Sequence, residues 1–141
     1  MIKNKIQNLI KAESFITLVK FGLVGGLGTI VNLLILYLLT DIAGFHYLIS
    51  AIFSIEMSVI TNFLLHDAWT FKERKAISKR LYRFCKFHLT VMIGLVTNYA
   101  VLFFLTEFYN LYYLASAFIG ILTGFIINFL FSSNFVWRGK K

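Results

Sequence analysis

FGLVGGLGTIVNLLILYLLT, residues 21–40, is an unbroken run of twenty uncharged side chains between Lys20 and Asp41. A helix rises 1.5 Å per residue, so about 20 residues cross the ~30 Å hydrocarbon layer of a bilayer. The run does not alternate polar and apolar residues as a barrel strand would. It therefore reads as a transmembrane helix. Three more runs of similar character follow: residues 42–66, broken only by Glu56; residues 87–106, between Lys86 and Glu107; and a fourth within 108–137. The connections near 41–46 and 107–112 are short, so the spans pair as antiparallel hairpins.

Composition agrees. The 141 residues are 59% hydrophobic and 14% charged, against about 25% charged in soluble domains. So short a chain cannot bury that much apolar surface within itself, and lipid must cover the rest. The absence of proline leaves no span kinked at a Pro. One cysteine, Cys85, excludes an internal disulfide. The polar, basic N-terminus is unlike a secretory signal.

The net charge of +8 is a topology signal before it is a nucleic-acid one, and no nucleic-acid partner is expected. Lys3, Lys5, Lys11 and Lys20 precede span one. Lys72, Arg74, Lys75, Lys79, Arg80, Arg83 and Lys86 lie between spans two and three. Arg138, Lys140 and Lys141 follow span four. The other two loops have no lysine or arginine. By the positive-inside rule both termini and the central loop are cytoplasmic, in a multi-pass protein of the plasma membrane. Trp69 and Trp137 are expected at the inner interface, and Tyr47, Tyr109, Tyr112 and Tyr113 at the outer one. Residues 1–16 place Ile2, Ile6, Leu9 and Ile10 at helical spacing, which predicts a short amphipathic helix on the inner leaflet; the alternative is a frayed basic tail.

Offset by 66 residues, the chain matches itself without a gap. Lys20-Phe21 falls on Lys86-Phe87, Gly28 on Gly94, and Asn32 on Asn98. Leu39-Thr40-Asp41 falls on Leu105-Thr106-Glu107, Tyr47-Leu48 on Tyr113-Leu114, Ser50-Ala51 on Ser116-Ala117, and Asn62-Phe63-Leu64 on Asn128-Phe129-Leu130. Apolar composition alone does not align asparagines and flanking charges. The expected fold is thus an all-α membrane protein: a transmembrane domain over 17–138 of four helices in two two-helix repeats, about 17–72 and 83–138. Two spans per unit make the repeats parallel rather than inverted. Gly22 with Gly26, and Gly120 with Gly124, are spaced four apart and predict close helix contact.

Glu56 is the sharpest polar feature. It falls mid-span, where a carboxylate costs ~2.5 kcal/mol or more on insertion scales. It is expected to face the interior, protonated or hydrogen-bonded, serving either transport or helix association. Asn32, Asn62, Asn98 and Asn128 either hydrogen-bond between helices or line a substrate path. Thr29, Thr61 and Thr97 read as packing residues. Lys20 and Lys86 stand at helix N-termini and, with Arg80 and Arg83, either hold a phosphate or lipid headgroup or simply anchor the topology. His66 and Asp67 form a polar pair at the same interface. No cluster suggests a metal or cofactor, and no catalytic set shares a depth, so an enzyme is not expected.

Several of these stretches resemble the GtrA family, small four-helix membrane proteins of polysaccharide synthesis. They are Lys20-Phe21-Gly22-Leu23-Val24-Gly25-Gly26, Asn32, Glu56-Met57-Ser58, and Asn62-Phe63-Leu64-Leu65-His66-Asp67-Ala68-Trp69-Thr70-Phe71. The echo from Asn128-Phe129-Leu130 to Val136-Trp137, and residues 83–87, fit too. The likeness covers roughly 17–138. It implies translocation of a polyprenyl-phosphate-linked monosaccharide for glycosylation of a surface polymer. Its alternative is a membrane anchor or scaffold for a polyprenyl-phosphate glycosyltransferase. Membrane lipid, the lipid-linked sugar, a glycosyltransferase and a second copy in a homodimer are the implied partners. A small proton-coupled multidrug exporter is a third reading. Such exporters carry their membrane glutamate in the first span and show little charge bias, unlike this chain.

Overall fold

A computed structural model describes residues 2–74 and 78–138. Most of these are helical, with no strand among the described residues. Four long helices follow in order: α1, Ile2–Tyr37; α2, Tyr47–Leu65; α3, Arg80–Tyr109; and α4, Tyr113–Phe131. Each supplies a stretch long and apolar enough to cross a membrane, over Glu13–Ile42, Ile49–Thr70, Arg80–Tyr109 and Phe118–Val136. The protein is a multi-pass membrane protein. The chain divides into two compact units, Met1–Lys72 and Glu73–Lys141. In the first, α1 packs on α2; in the second, α3 packs on α4.

The first helix has 36 residues, a length of about 54 Å. It runs without a break from Ile2 into the membrane span, so Lys20 lies inside α1 and not at a helix N-terminus as expected; Lys86 likewise lies inside α3, because both helices begin ahead of the uncharged runs. The predicted apolar face of residues 2–10 belongs to side chains outside the described residues, as do the side chains of Tyr47 and Tyr113 and all of Lys75, Lys140 and Lys141.

The ends of the helices are built from identifiable backbone devices. After α1, a five-residue π turn, Leu38–Ile42, leads into Gly44 at φ +73°. The third helix ends instead on Asn110 in the left-handed conformation. Glycine reaches that region without a Cβ clash, and asparagine tolerates it. The two loops then close with the same bond: Phe45 N–H donates to Leu39 O at 2.9 Å, and Leu111 N–H to Leu105 O at 3.2 Å. At its far end α2 passes into a π turn, His66–Thr70, and α4 into another, Ser132–Val136. There Phe71 N–H donates to His66 O and Trp137 N–H to Ser132 O.

The buried core is small and sits toward the basic end of each unit. Phe21, Val24, Val59, Phe63 and Phe71 form it in the first unit, and Phe87, Val136 and Trp137 in the second. Leu23, Leu27, Ile30, Leu33, Ile52 and Phe103 point outward instead. In hydrocarbon such residues gain nothing from being hidden, because lipid tails are as apolar as leucine. Helix contact depends on close packing. A Cβ on Gly124 would lie 2.8 Å from the Gly94 carbonyl oxygen, and one on Gly120 would lie 2.7 Å from that of Asn98. The expected role of these two glycines holds. Gly26 departs from expectation. It is exposed in its unit and a Cβ there would meet nothing within 4 Å. The close approach in the first unit falls at Gly28, against the Asn62 side chain, because that side of α1 faces α2.

Candidate functional site

Two polar zones stand out in each unit, one within the spans and one at the basic end. The span zone contains the asparagines. In the first unit Gly28 leaves room for the Asn62 amide, and in the second Gly94 does so for Asn128. A Cβ at either glycine would overlap the amide. Asn98 lies against Gly120. The carbonyl oxygens of Asn32, Asn62 and Asn128 are buried and accept no hydrogen bond from the protein. A cross-helix bond in the first unit comes from Ser58, whose hydroxyl donates to Gly28 O at 2.8 Å. Thr29, Thr61 and Thr97 donate back to carbonyls four residues earlier in their own helices. They do not bridge helices through these bonds.

Glu56 is half-buried on α2. Helical spacing puts it on the side that carries Val59 and Phe63, three and seven residues on, both buried. The carboxylate thus flanks the packed face of its own unit.

At the basic end of the first unit, the π turn holds His66, Asp67 and Thr70 buried together. The i+5 hydrogen-bonded turn widens the helix there and directs all three inward. The His66 ring stacks on Phe21, with centroids 4.3 Å apart and planes 11° from parallel. Its Nδ1 lies 3.0 Å from Thr70 Oγ1. Phe71 meets Phe21 edge-on at 6.3 Å. Lys20 Nζ stands 5.5 Å over the ring of Trp69, which is 41% exposed. His66 and Asp67 are therefore packed within the unit, with relative exposures of 1% and 3%.

The second unit uses different residues at its basic end. Phe87 packs edge-on against Trp137 at 5.5 Å. Trp137 is fully buried within its unit. A small residue, Ser132, opens its turn where His66 opens the first. Lys86 Nζ lies 4.4 Å from the ring centroids of both Tyr82 and Phe135. Arg83 is buried, and its Nη1 donates to Ser78 O. Arg80 is exposed in the first turn of α3.

Within each unit the structure gathers a lysine, an aromatic ring and a π turn. Two residues that sequence reasoning did not select are Arg74 and Ser133. The Arg74 Nη1 donates to Ser133 Oγ at 2.8 Å. No local pattern announces a pair 59 residues apart. Among the described residues no group of three or more His, Cys, Asp or Glu side chains could hold a metal ion.

A family model described as GtrA/DPMS, transmembrane domain, matches residues 20–137. The chain is 34% identical over 135 residues to a dolichol-phosphate mannosyltransferase of Pyrococcus furiosus, a match that takes in 94% of this chain and 37% of the relative. The chain thus spans little more than a third of that relative's length.

Proposed function

We propose, from the premise that this chain belongs to the GtrA/DPMS transmembrane-domain family, that it moves a polyprenyl-phosphate-linked monosaccharide across the membrane for glycosylation of a cell-surface polymer. The observation that carries this reading is the set of buried, unpartnered amide oxygens of Asn32, Asn62 and Asn128 within the spans. A buried acceptor left without a donor costs roughly 1–3 kcal/mol. Sugar hydroxyls are donors of the right kind. A head group passing between helices would satisfy these oxygens in turn, while the lipid tail stays in hydrocarbon. Glu56 serves the same path by accepting hydroxyl hydrogens.

The orientation in this reading is the one set by charge. Both termini and the loop between α2 and α3 are cytoplasmic, in the plasma membrane, and Lys20, Lys86, Arg80 and Arg83 lie at headgroup level, where basic residues attract anionic lipid by roughly 1 kcal/mol each. The first residues of α1 form the interfacial amphipathic segment. The duplication is part of the proposal too. It is supported by matched features 66 residues apart: Gly28 with Asn62 and Gly94 with Asn128, Lys20 over Trp69 and Lys86 over Phe135, and a π turn after both α2 and α4. Four helices make a thin wall for such a path, which favours a homodimer.

A second reading, an anchor or scaffold for a glycosyltransferase, is favoured by the relative named for that activity, of which this chain matches only part. In both readings this chain is the membrane-embedded part and performs no transfer itself. The test is translocation of a short-chain polyprenyl-phosphate sugar in liposomes. Wild type is expected to accelerate access to the opposite leaflet, and Glu56→Gln to abolish most of that acceleration. No acceleration over empty liposomes by folded protein would leave the scaffold reading standing.

A further inference from the structure

The basic ends of the two units are not chemically equivalent. In the first, the second residue of the π turn is Asp67, a buried carboxylate. In the second, the same place in the turn is Ser133, and a guanidinium has come to it: Arg74 Nη1 is 2.8 Å from Ser133 Oγ. A phosphate brought beside Ser133 would meet a cation and a hydroxyl already in contact.

We propose that Arg74 and Ser133 together form a binding site for the phosphate group of a membrane lipid, confined to the second unit. Arg74 has five N–H donors in a planar fork and uses one on Ser133. Those remaining can engage two phosphate oxygens at once, the bidentate geometry that distinguishes arginine from lysine. Ser133 accepts from Arg74 through its oxygen, so its own hydrogen is free to donate to the same anion. Ser133 is half-buried, so its hydroxyl competes less with water for that bond. Beside it, Ser132 is fully buried with its Oγ unpartnered, a further polar group in the same turn. The turn closes a stretch long and apolar enough to cross a membrane, which ends at Val136, and the end of such a stretch falls toward the headgroup region. On the same turn, Lys86 Nζ lies 3.5 Å from Phe135 O and adds positive potential without being part of the contact.

The identity of the lipid as the polyprenyl-phosphate carrier rests on the function proposed above; the site does not. The experiment measures binding of three probes to purified protein in detergent: a short-chain polyprenyl phosphate, phosphatidylglycerol and inorganic phosphate. Arg74→Gln, Arg74→Lys, Ser133→Ala and Ser133→Asp are compared with Lys79→Gln, which removes one exposed charge from the same loop. Losing a charged hydrogen-bonding partner corresponds to about tenfold or more in affinity. That loss is expected for Arg74→Gln and Ser133→Asp, a smaller one for Arg74→Lys and Ser133→Ala, and little for Lys79→Gln. A loss seen with polyprenyl phosphate and not phosphatidylglycerol supports both the site and the carrier. Equal losses with both lipids support the site and count against the carrier. Wild-type affinity in Arg74→Gln and Ser133→Asp, a Lys79→Gln loss as large as theirs, or inorganic phosphate bound as tightly as the lipids, would overturn the site.

Discussion

Gly124→Ala tests the account of how these helices hold together, because the obstruction is backbone. The new Cβ would sit 2.8 Å from the Gly94 carbonyl oxygen and 3.3 Å from Asn98 Cβ, where ordinary contact begins at 3.4 Å. Neither α3 nor α4 can rotate a carbonyl out of the way without breaking its own ladder. The helices must separate by the shortfall, about half an ångström, and a gap of that size forfeits roughly a quarter of each contact's attraction across the seam. Overpacking of this kind costs about 1–3 kcal/mol. Against it stands the helix preference of alanine over glycine, worth about 0.5–1 kcal/mol. The net expectation is a loss of about 1–2 kcal/mol. Gly25→Ala is the matched control, since its Cβ would meet nothing within 4 Å; there only the favourable term remains. The assay is unfolding of purified protein in mixed micelles by titration with a denaturing detergent, followed by near-ultraviolet signals. Gly124→Ala should shift the midpoint down and Gly25→Ala leave it level or raise it. Equal shifts in the two variants would refute the argument that packing rather than propensity sets stability here.

At Gly28 the obstacle is a side chain, so Gly28→Ala should be destabilising alone and largely relieved by Asn62→Ala, with a coupling of about 1 kcal/mol in a double-mutant cycle. Ser58→Ala removes the hydroxyl that donates to Gly28 O; the same detergent titration should register about 0.6 kcal/mol, the average for such bonds in membranes. Phe21→Ala strips the ring that stacks on His66 and meets Phe71, and should cost about 3 kcal/mol; a loss below that of Ser58→Ala would mean the aromatic cluster is not the core of its unit.

How much of this was legible beforehand depended on the kind of force involved. Span positions follow from one-dimensional arithmetic on uncharged runs, since every buried backbone group in lipid must be satisfied within its own helix. The four helices therefore lie where the runs are, and the loops at Gly44 and Asn110 close where short connections demand them. Which glycines meet a partner was less legible. Spacing identifies Gly120 and Gly124, but it also selects Gly26, where a Cβ would meet nothing within 4 Å, because spacing alone does not say which side of α1 faces α2. The burial of His66 and Trp137 is not legible from their place at span ends, because it depends on π turns that carry both inward. A single extra residue in a turn changes the facing of every side chain after it, and no residue type marks where that happens.

The sequence by itself determined that this is a four-span helical membrane protein whose lysines and arginines lie outside the uncharged runs, and it marked Glu56 and the asparagines as the polar groups within the spans. Those are consequences of solvation, which acts on each residue through its own chemistry and its neighbours along the chain. Tertiary structure alone decided that His66 stacks on Phe21, that Trp137 packs edge-on against Phe87, and that Arg74 reaches Ser133 across 59 residues. Those are consequences of packing, which depends on which surfaces meet after the chain has turned back on itself.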